Sequence, residues 1–185
     1  MTDLNFKIMT DNYIHILESR AIALCHYLNT AKAYSPWKEN WKLLQKNLNK
    51  TKVTFNLLKS SDQDVAYVID KGDSVNFKLA DFDDHVLPIN VYQYVLYHEM
   101  AHMSTKLLQH PPQFWNLLSL ICSAAYELKF FNLKTVDKNN TTICGMTITT
   151  YIDLYESVLE GFDQIVEKDP SFREYYETFR NVVIH

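Results

Sequence analysis

Between Asn90 and Phe131 the chain carries apolar residues at helical spacing and is broken once, at Pro111-Pro112. Proline lacks a backbone N–H and clashes with the preceding turn, so a helix reaching such a pair must stop; a new helix tolerates proline in its first turn. The sequence therefore predicts two consecutive core helices, from Val91 to about Leu108 and from about Gln113 to Phe131. Asn90 reads as the N-cap of the first, with Gln93 completing a capping box and Ile89 and Tyr94 forming a hydrophobic staple. Val91, Val95 and Leu96 turn this helix into the core.

Helical spacing also marks Asp11 to Leu28, through Ile14, Ile16, Leu17, Ala21, Leu24 and Leu28. Pro36 opens a further helix, Trp37 to Leu48, with Trp37, Trp41, Leu44 and Leu48 on one side. Between these and Asn90 lie three short runs rich in β-branched and aromatic residues: Val53 to Leu58, Val65 to Ile69 and Val75 to Leu79. Asp70-Lys71-Gly72-Asp73 joins the last two as a hairpin, since Gly72 takes positive φ without strain. Downstream, Thr141 to Thr149 has extended character, and Tyr151 to Glu167 and Ser171 to Val183 read as two more helices. The order of helices, a small sheet, then helices predicts one α+β domain over residues 1–185, with a core at 53–150, N-terminal helices in 1–50 and C-terminal helices in 151–185.

Glycine occurs only three times, which argues against glycine-rich phosphate cradles, and the formal charge of -4 argues against a broad basic surface for nucleic acid. Cys25, Cys122 and Cys144 are odd in number and form no C-x-x-C pair, so neither a disulfide framework nor a cysteine zinc site is expected. Met1 to Met9 lacks the pattern of a secretory signal, and the most apolar stretch, Phe114 to Ala125, is too short to span a bilayer. An intracellular protein of cytoplasm or nucleus, without membrane partners, is the expectation.

The first of the two core helices carries His98-Glu99-Met100-Ala101-His102. Histidines four apart project from one face one turn apart, so both imidazoles reach one ion at about 2.0–2.1 Å. Glu99, displaced by about 100° round the axis, stays out of that ligand set but reaches a water in the fourth position of a zinc ion. Zinc brings such a water to a pKa of about 7, and Glu99 takes its proton and passes it to a leaving amine. A third protein ligand is required. His110, held by Pro111-Pro112 with Phe114-Trp115 anchoring the next helix, is the first candidate; Glu127, on that next helix, is the alternative. His15, His26 and His185 read as structural or exposed, and Asp81, Asp83 and Asp84 as a solvated loop. His85 is close enough in sequence to approach the cleft, and Tyr97 and Tyr151 are candidates to stabilise an oxyanion.

His98-Glu99-Met100-Ala101-His102 followed by His110-Pro111-Pro112-Gln113-Phe114-Trp115 resembles the H-E-x-x-H…H-x-x-x-F-W pattern of WLM-type metallopeptidases, relatives of the SprT/Spartan proteases. Val65-Ala66-Tyr67 with Asp70-Lys71-Gly72 upstream, and Ile143-Cys144-Gly145-Met146-Thr147-Ile148-Thr149 downstream, resemble the version encoded by large DNA viruses. The resemblance covers about residues 53 to 150. It implies a minimal zincin-like fold, a small and mainly antiparallel sheet of about three strands on the active-site helix. It also implies His98, His102 and His110 as zinc ligands with Glu99 as base. Cellular members degrade proteins crosslinked to DNA, so a role on DNA-associated proteins is implied, although this acidic chain shows no basic tail for DNA.

Two functions compete, with a zinc-free helical interaction protein as a third reading. The first is a zinc metalloendopeptidase acting on protein or peptide substrates, with the substrate paired along an edge strand through Val75, Phe77 and Leu79. The second is a catalytically silent zinc-binding structural or interaction module that keeps the same fold.

Overall fold

A computed structural model describes residues 3–50, 52–56, 66–69, 74–78, 89–106, 110–131, 141–143, 146–148, 167 and 173. The described chain forms α1 (Asp3–Thr30), a 3-10 helix (Lys32–Trp37), α2 (Lys38–Leu48), β1 (Lys52–Asn56), β2 (Ala66–Ile69) and β3 (Ser74–Lys78). It continues with α3 (Ile89–Met103), α4 (Pro112–Glu127), β4 (Thr141–Ile143) and β5 (Met146–Ile148). Helices dominate, and an α+β class accommodates them with the small strands. The expected C-terminal helices, 151–185, lie outside the described residues apart from two isolated positions.

Helix α3 is the centre of the molecule. Every residue from Val91 to His98 is buried, which a helix tolerates only when neighbours cover it all round. Here α1, α2 and α4 pack on it, with β3 on a further side. Its start and end differ from the sequence expectation. Asn90 lies inside the helix, and Gln93 does not close a capping box. Instead, the Gln93 side chain is fully buried and its Nε2 donates to the Phe130 carbonyl at 2.9 Å and the Tyr97 hydroxyl at 3.1 Å. A long amide in an apolar helix finds its partners through tertiary contact, which a local capping pattern cannot anticipate. The helix also stops at Met103, short of Leu108, because the Ser104 hydroxyl turns back to the Ala101 carbonyl at 2.7 Å and so competes with the next helical turn.

Pro111-Pro112 acts as its chemistry requires. Pro111 is extended (φ -70°, ψ 169°) and serves as N-cap residue, Pro112 opens α4, and the Phe114 amide donates to the Pro111 carbonyl at 2.8 Å. Pro36, by contrast, sits inside the 3-10 helix, and α2 begins two residues later. Trp41 and Leu44 of α2 are buried, as the helical spacing predicts.

The sheet corrects the expected topology. Its order is β1-β3-β2, with β2 and β3 antiparallel but β1 and β3 parallel, so it is mixed rather than mainly antiparallel. The β2–β3 pair accounts for the predicted hairpin partners, and β1 adds in parallel to the other edge of β3, pairing Val53 with Val75. Alternation of side chains identifies a strand but not its neighbour, which is why this pairing was not legible. A second, two-stranded antiparallel sheet joins β4 and β5 in the segment read as extended. Among the described residues, no helix is long and apolar enough to cross a membrane.

Candidate metal centre

The second half of α3 presents His98 and His102 one turn apart, and the chain returns after its break to bring His110 against both. His110 Nε2 stands 3.1 Å from His98 Nε2 and 3.2 Å from His102 Nε2, and the three donor nitrogens lie within 4.8 Å of one another. His98 is 2% exposed, His102 half-buried and His110 exposed, so the cluster runs from the core to the solvent.

This spacing fits a metal ion. Nitrogens bound at about 2.0–2.1 Å in a tetrahedral set lie about 3.4 Å apart, close to the separations present here. The donor chemistry agrees. Each imidazole nitrogen offers either a proton or a lone pair. With two states and three nitrogens, at least one pair must face like to like, whereas a single cation takes all three lone pairs. Burial, then the neighbouring His102 and His110, push His98 down to about pKa 3, and burial lowers His110 as well, so both favour the neutral form that ligation needs. His98 Nδ1 is buried without a hydrogen-bond partner among the described residues.

Phe114 forms the wall against which the cluster is built. Its ring is fully buried, with centroids 4.8, 4.3 and 4.6 Å from those of His98, His102 and His110. Trp115 stacks at a tilt on His110 at 5.5 Å. The sequence places Phe114-Trp115 as the anchor of α4; in the structure Phe114 also packs against all three imidazoles and Trp115 against His110.

The end of α3 is held from α2. The last carbonyls of a helix have no intrahelical partner. Here Ser104 N donates to Met100 O (2.9 Å) and Ala101 O (3.2 Å), and Thr105 N donates to His102 O (3.2 Å). Asn47 Nδ2 donates to Met103 O at 2.8 Å and Asn40 Nδ2 to Ser104 O at 2.9 Å. The only sequence signal for these two asparagines was their seven-residue spacing, which puts them on one face of α2 with Leu44.

Glu99 follows His98 on α3, half-buried, and its carboxylate is not among the converging donors, as its position round the helix requires. Glu127 is not brought to the cluster. It ends α4, about 20 Å along the axis from Phe114, and accepts a 2.5 Å hydrogen bond from the Tyr27 hydroxyl. That bond pushes Tyr27 up to about 12, while burial raises the Glu127 carboxyl. Tyr97 is fully buried, engaged by Gln93 and edge-on to Phe131, which makes it a core residue. His15 and His26 are exposed on α1.

The expected substrate strand also needs correction. Val75 and Phe77 lie on β3, which is the central strand, and Val75 is fully buried, so no backbone edge is left there for a peptide. Among the described strands, the edges belong to β1 and β2. Leu79, His85, the aspartates 81, 83 and 84, Tyr151 and His185 lie outside the described residues. No family model matches the chain, and neither a curated protein nor a solved structure matches it.

Proposed function

We propose that this chain is a zinc metallopeptidase in which His98, His102 and His110 hold the ion and Glu99 is the general base, a reading in line with the resemblance to WLM-type and SprT-like peptidases. The observation that carries it is the convergence of three imidazole Nε2 atoms, two from α3 and one from His110 just ahead of α4, with His110 exposed to solvent. Bound in that cluster, zinc supplies a Lewis acid and lowers the pKa of a water molecule.

The chain's own residues do the rest. His98 and His102 are fixed by the buried helix, and Phe114 keeps the imidazoles in their mutual orientation. Glu99, next to His98 and half-buried, takes a proton from water and delivers it to the departing amine. A carboxylate outside the ligand set does not have its lone pairs taken up by the ion. The substrate is an unfolded or extended protein segment; with β3 enclosed, it would align along an edge of the sheet formed by β1 or β2. Nothing in the charge of this acidic chain favours DNA as a direct partner.

Purified protein reconstituted with zinc should cleave a disordered protein substrate, and Glu99→Gln should retain the metal while cleavage falls by at least about 100-fold. Undiminished cleavage by that variant removes Glu99 from the mechanism. Metal binding by wild type without cleavage of any unfolded protein points instead to a silent zinc-binding module.

A further inference from the structure

The carbonyls at the end of α3 are satisfied by two different means. The earlier ones use the turn at Ser104 and Thr105, which belongs to α3 itself; the last two, Met103 O and Ser104 O, use side chains of α2. We propose that Asn40 and Asn47 are positioning residues of the histidine cluster, fixing through these two hydrogen bonds where α3 ends and hence where His102 stands relative to His98 and His110. The proposal rests on the reading of the cluster as a metal site.

The geometry carries the argument. Asn40 and Asn47 are about 10.5 Å apart along α2, yet their amides reach carbonyls of successive residues, so α2 passes across the end of α3 and grips it from two sides. Leu44, between them on the same face, is fully buried. His102 precedes Met103 directly and is only half-buried, so packing holds it less firmly than His98. A frayed last turn would carry the His102 nitrogen away from His110, whose separation of 3.2 Å leaves little slack for a shared ion. His98, one turn deeper and 2% exposed, would stay in place.

The test is a titration of metal-free protein with cobalt(II), followed by the visible absorption of the bound ion, which reports its coordination as well as its affinity. Wild type, Asn40→Ala, Asn47→Ala, Asn47→Asp and Asn29→Ala are compared, each checked for folding by circular dichroism. Asn29→Ala is the control, since Asn29 Nδ2 donates to Cys25 O (2.9 Å) within α1 and to Trp41 O (3.2 Å) on α2, and these hydrogen bonds do not involve α3. The expected result is that Asn40→Ala and Asn47→Ala weaken cobalt binding by about tenfold or more and alter the band intensities. Asn47→Asp, which sets a carboxylate against the negative end of α3, should be weaker still. Asn29→Ala should lower the melting temperature and leave the cobalt signal unchanged.

Unchanged affinity and spectrum in the folded Asn40 and Asn47 variants would overturn the proposal while leaving the metal site standing. So would an equal loss in Asn29→Ala, which would reduce the effect to general stability. Failure of wild type to bind cobalt would remove the metal site and this proposal together. Asn40→Ala and Asn47→Ala are separate single variants, so failure of one to fold leaves the other to decide.

Discussion

The Nε2 atoms of His98 and His110 stand 3.1 Å apart although twelve positions of chain separate them. The approach depends on α3 stopping at Met103 and on Pro111 holding an extended conformation directly after His110. A helix continuing to Leu108 would have carried the chain past the cluster.

The first prediction concerns the identity of the third ligand. His110→Ala should weaken zinc binding by more than the roughly 10–100-fold typical of outer-shell losses, because it removes a donor. Glu127→Gln should leave zinc affinity unchanged, since that carboxyl is occupied by Tyr27 at the far end of α4. Equilibrium titration against a chromophoric chelator measures both. A larger loss in the Glu127 variant than in the His110 variant would reverse the assignment.

Phe114 offers a second, independent handle. It touches all three imidazoles and is fully buried, so Phe114→Ala should cost about 3–5 kcal/mol of stability. It should also loosen the cluster enough to lower metal affinity. Phe114→Leu, which refills most of the cavity, should be milder in both respects. Denaturant unfolding of the metal-free protein gives the first quantity and metal titration the second; an affinity unmoved in Phe114→Ala would show that the ring supports the core alone.

How much of this was legible beforehand follows from the range of each interaction. His98, His102 and the break at Pro111-Pro112 were readable because helical periodicity and proline chemistry act within a few residues. His110 was the first candidate, but choosing it over Glu127 needed the path of the chain between α3 and α4. The parallel pairing of β1 with β3 was not legible, and with it went the assignment of β3 as a substrate edge, because alternation does not encode a neighbour. Gln93 was misread for the same reason. Its position three residues after Asn90 fitted a local cap, yet its partner is Phe130, 37 positions away. Asn40 and Asn47 carry no such signal within α2, because the carbonyls they reach lie 64 and 56 positions further along the chain.

That tertiary role of Gln93 gives a third prediction. Its Nε2 bridges Tyr97 and the Phe130 carbonyl, which also receives Arg20 Nη1 at 2.9 Å. Gln93→Ala leaves Phe130 with Arg20 but strips the buried Tyr97 hydroxyl of this donor and opens a gap at the start of α3. The expected cost is about 1–3 kcal/mol. It should appear as a lower urea midpoint at unchanged slope, with zinc affinity largely preserved because the site lies at the other end of the helix. A zinc affinity falling in step with stability would tie the two ends of α3 together.

Acid sensitivity follows from His98. Burial pushes its folded-state pKa to about 3 from an ordinary value of 6.5. Between those values the unfolded chain binds a proton at His98 that the folded chain does not, so metal-free stability rises with pH across this window. It is fully present above about pH 6.5 and is lost progressively as pH falls towards 3. His110, also lowered by burial, acts in the same direction. Glu127, raised by burial, acts in the opposite one, but equally in any variant that leaves α4 intact. The comparison is therefore between wild type and His98→Gln, by urea midpoints from pH 7 to pH 4 in the presence of a chelator. Wild type should lose stability steadily over that range and His98→Gln distinctly less, since a neutral amide has no proton to take up on unfolding. Equal slopes in the two proteins would mean that the buried imidazole does not govern the acid response.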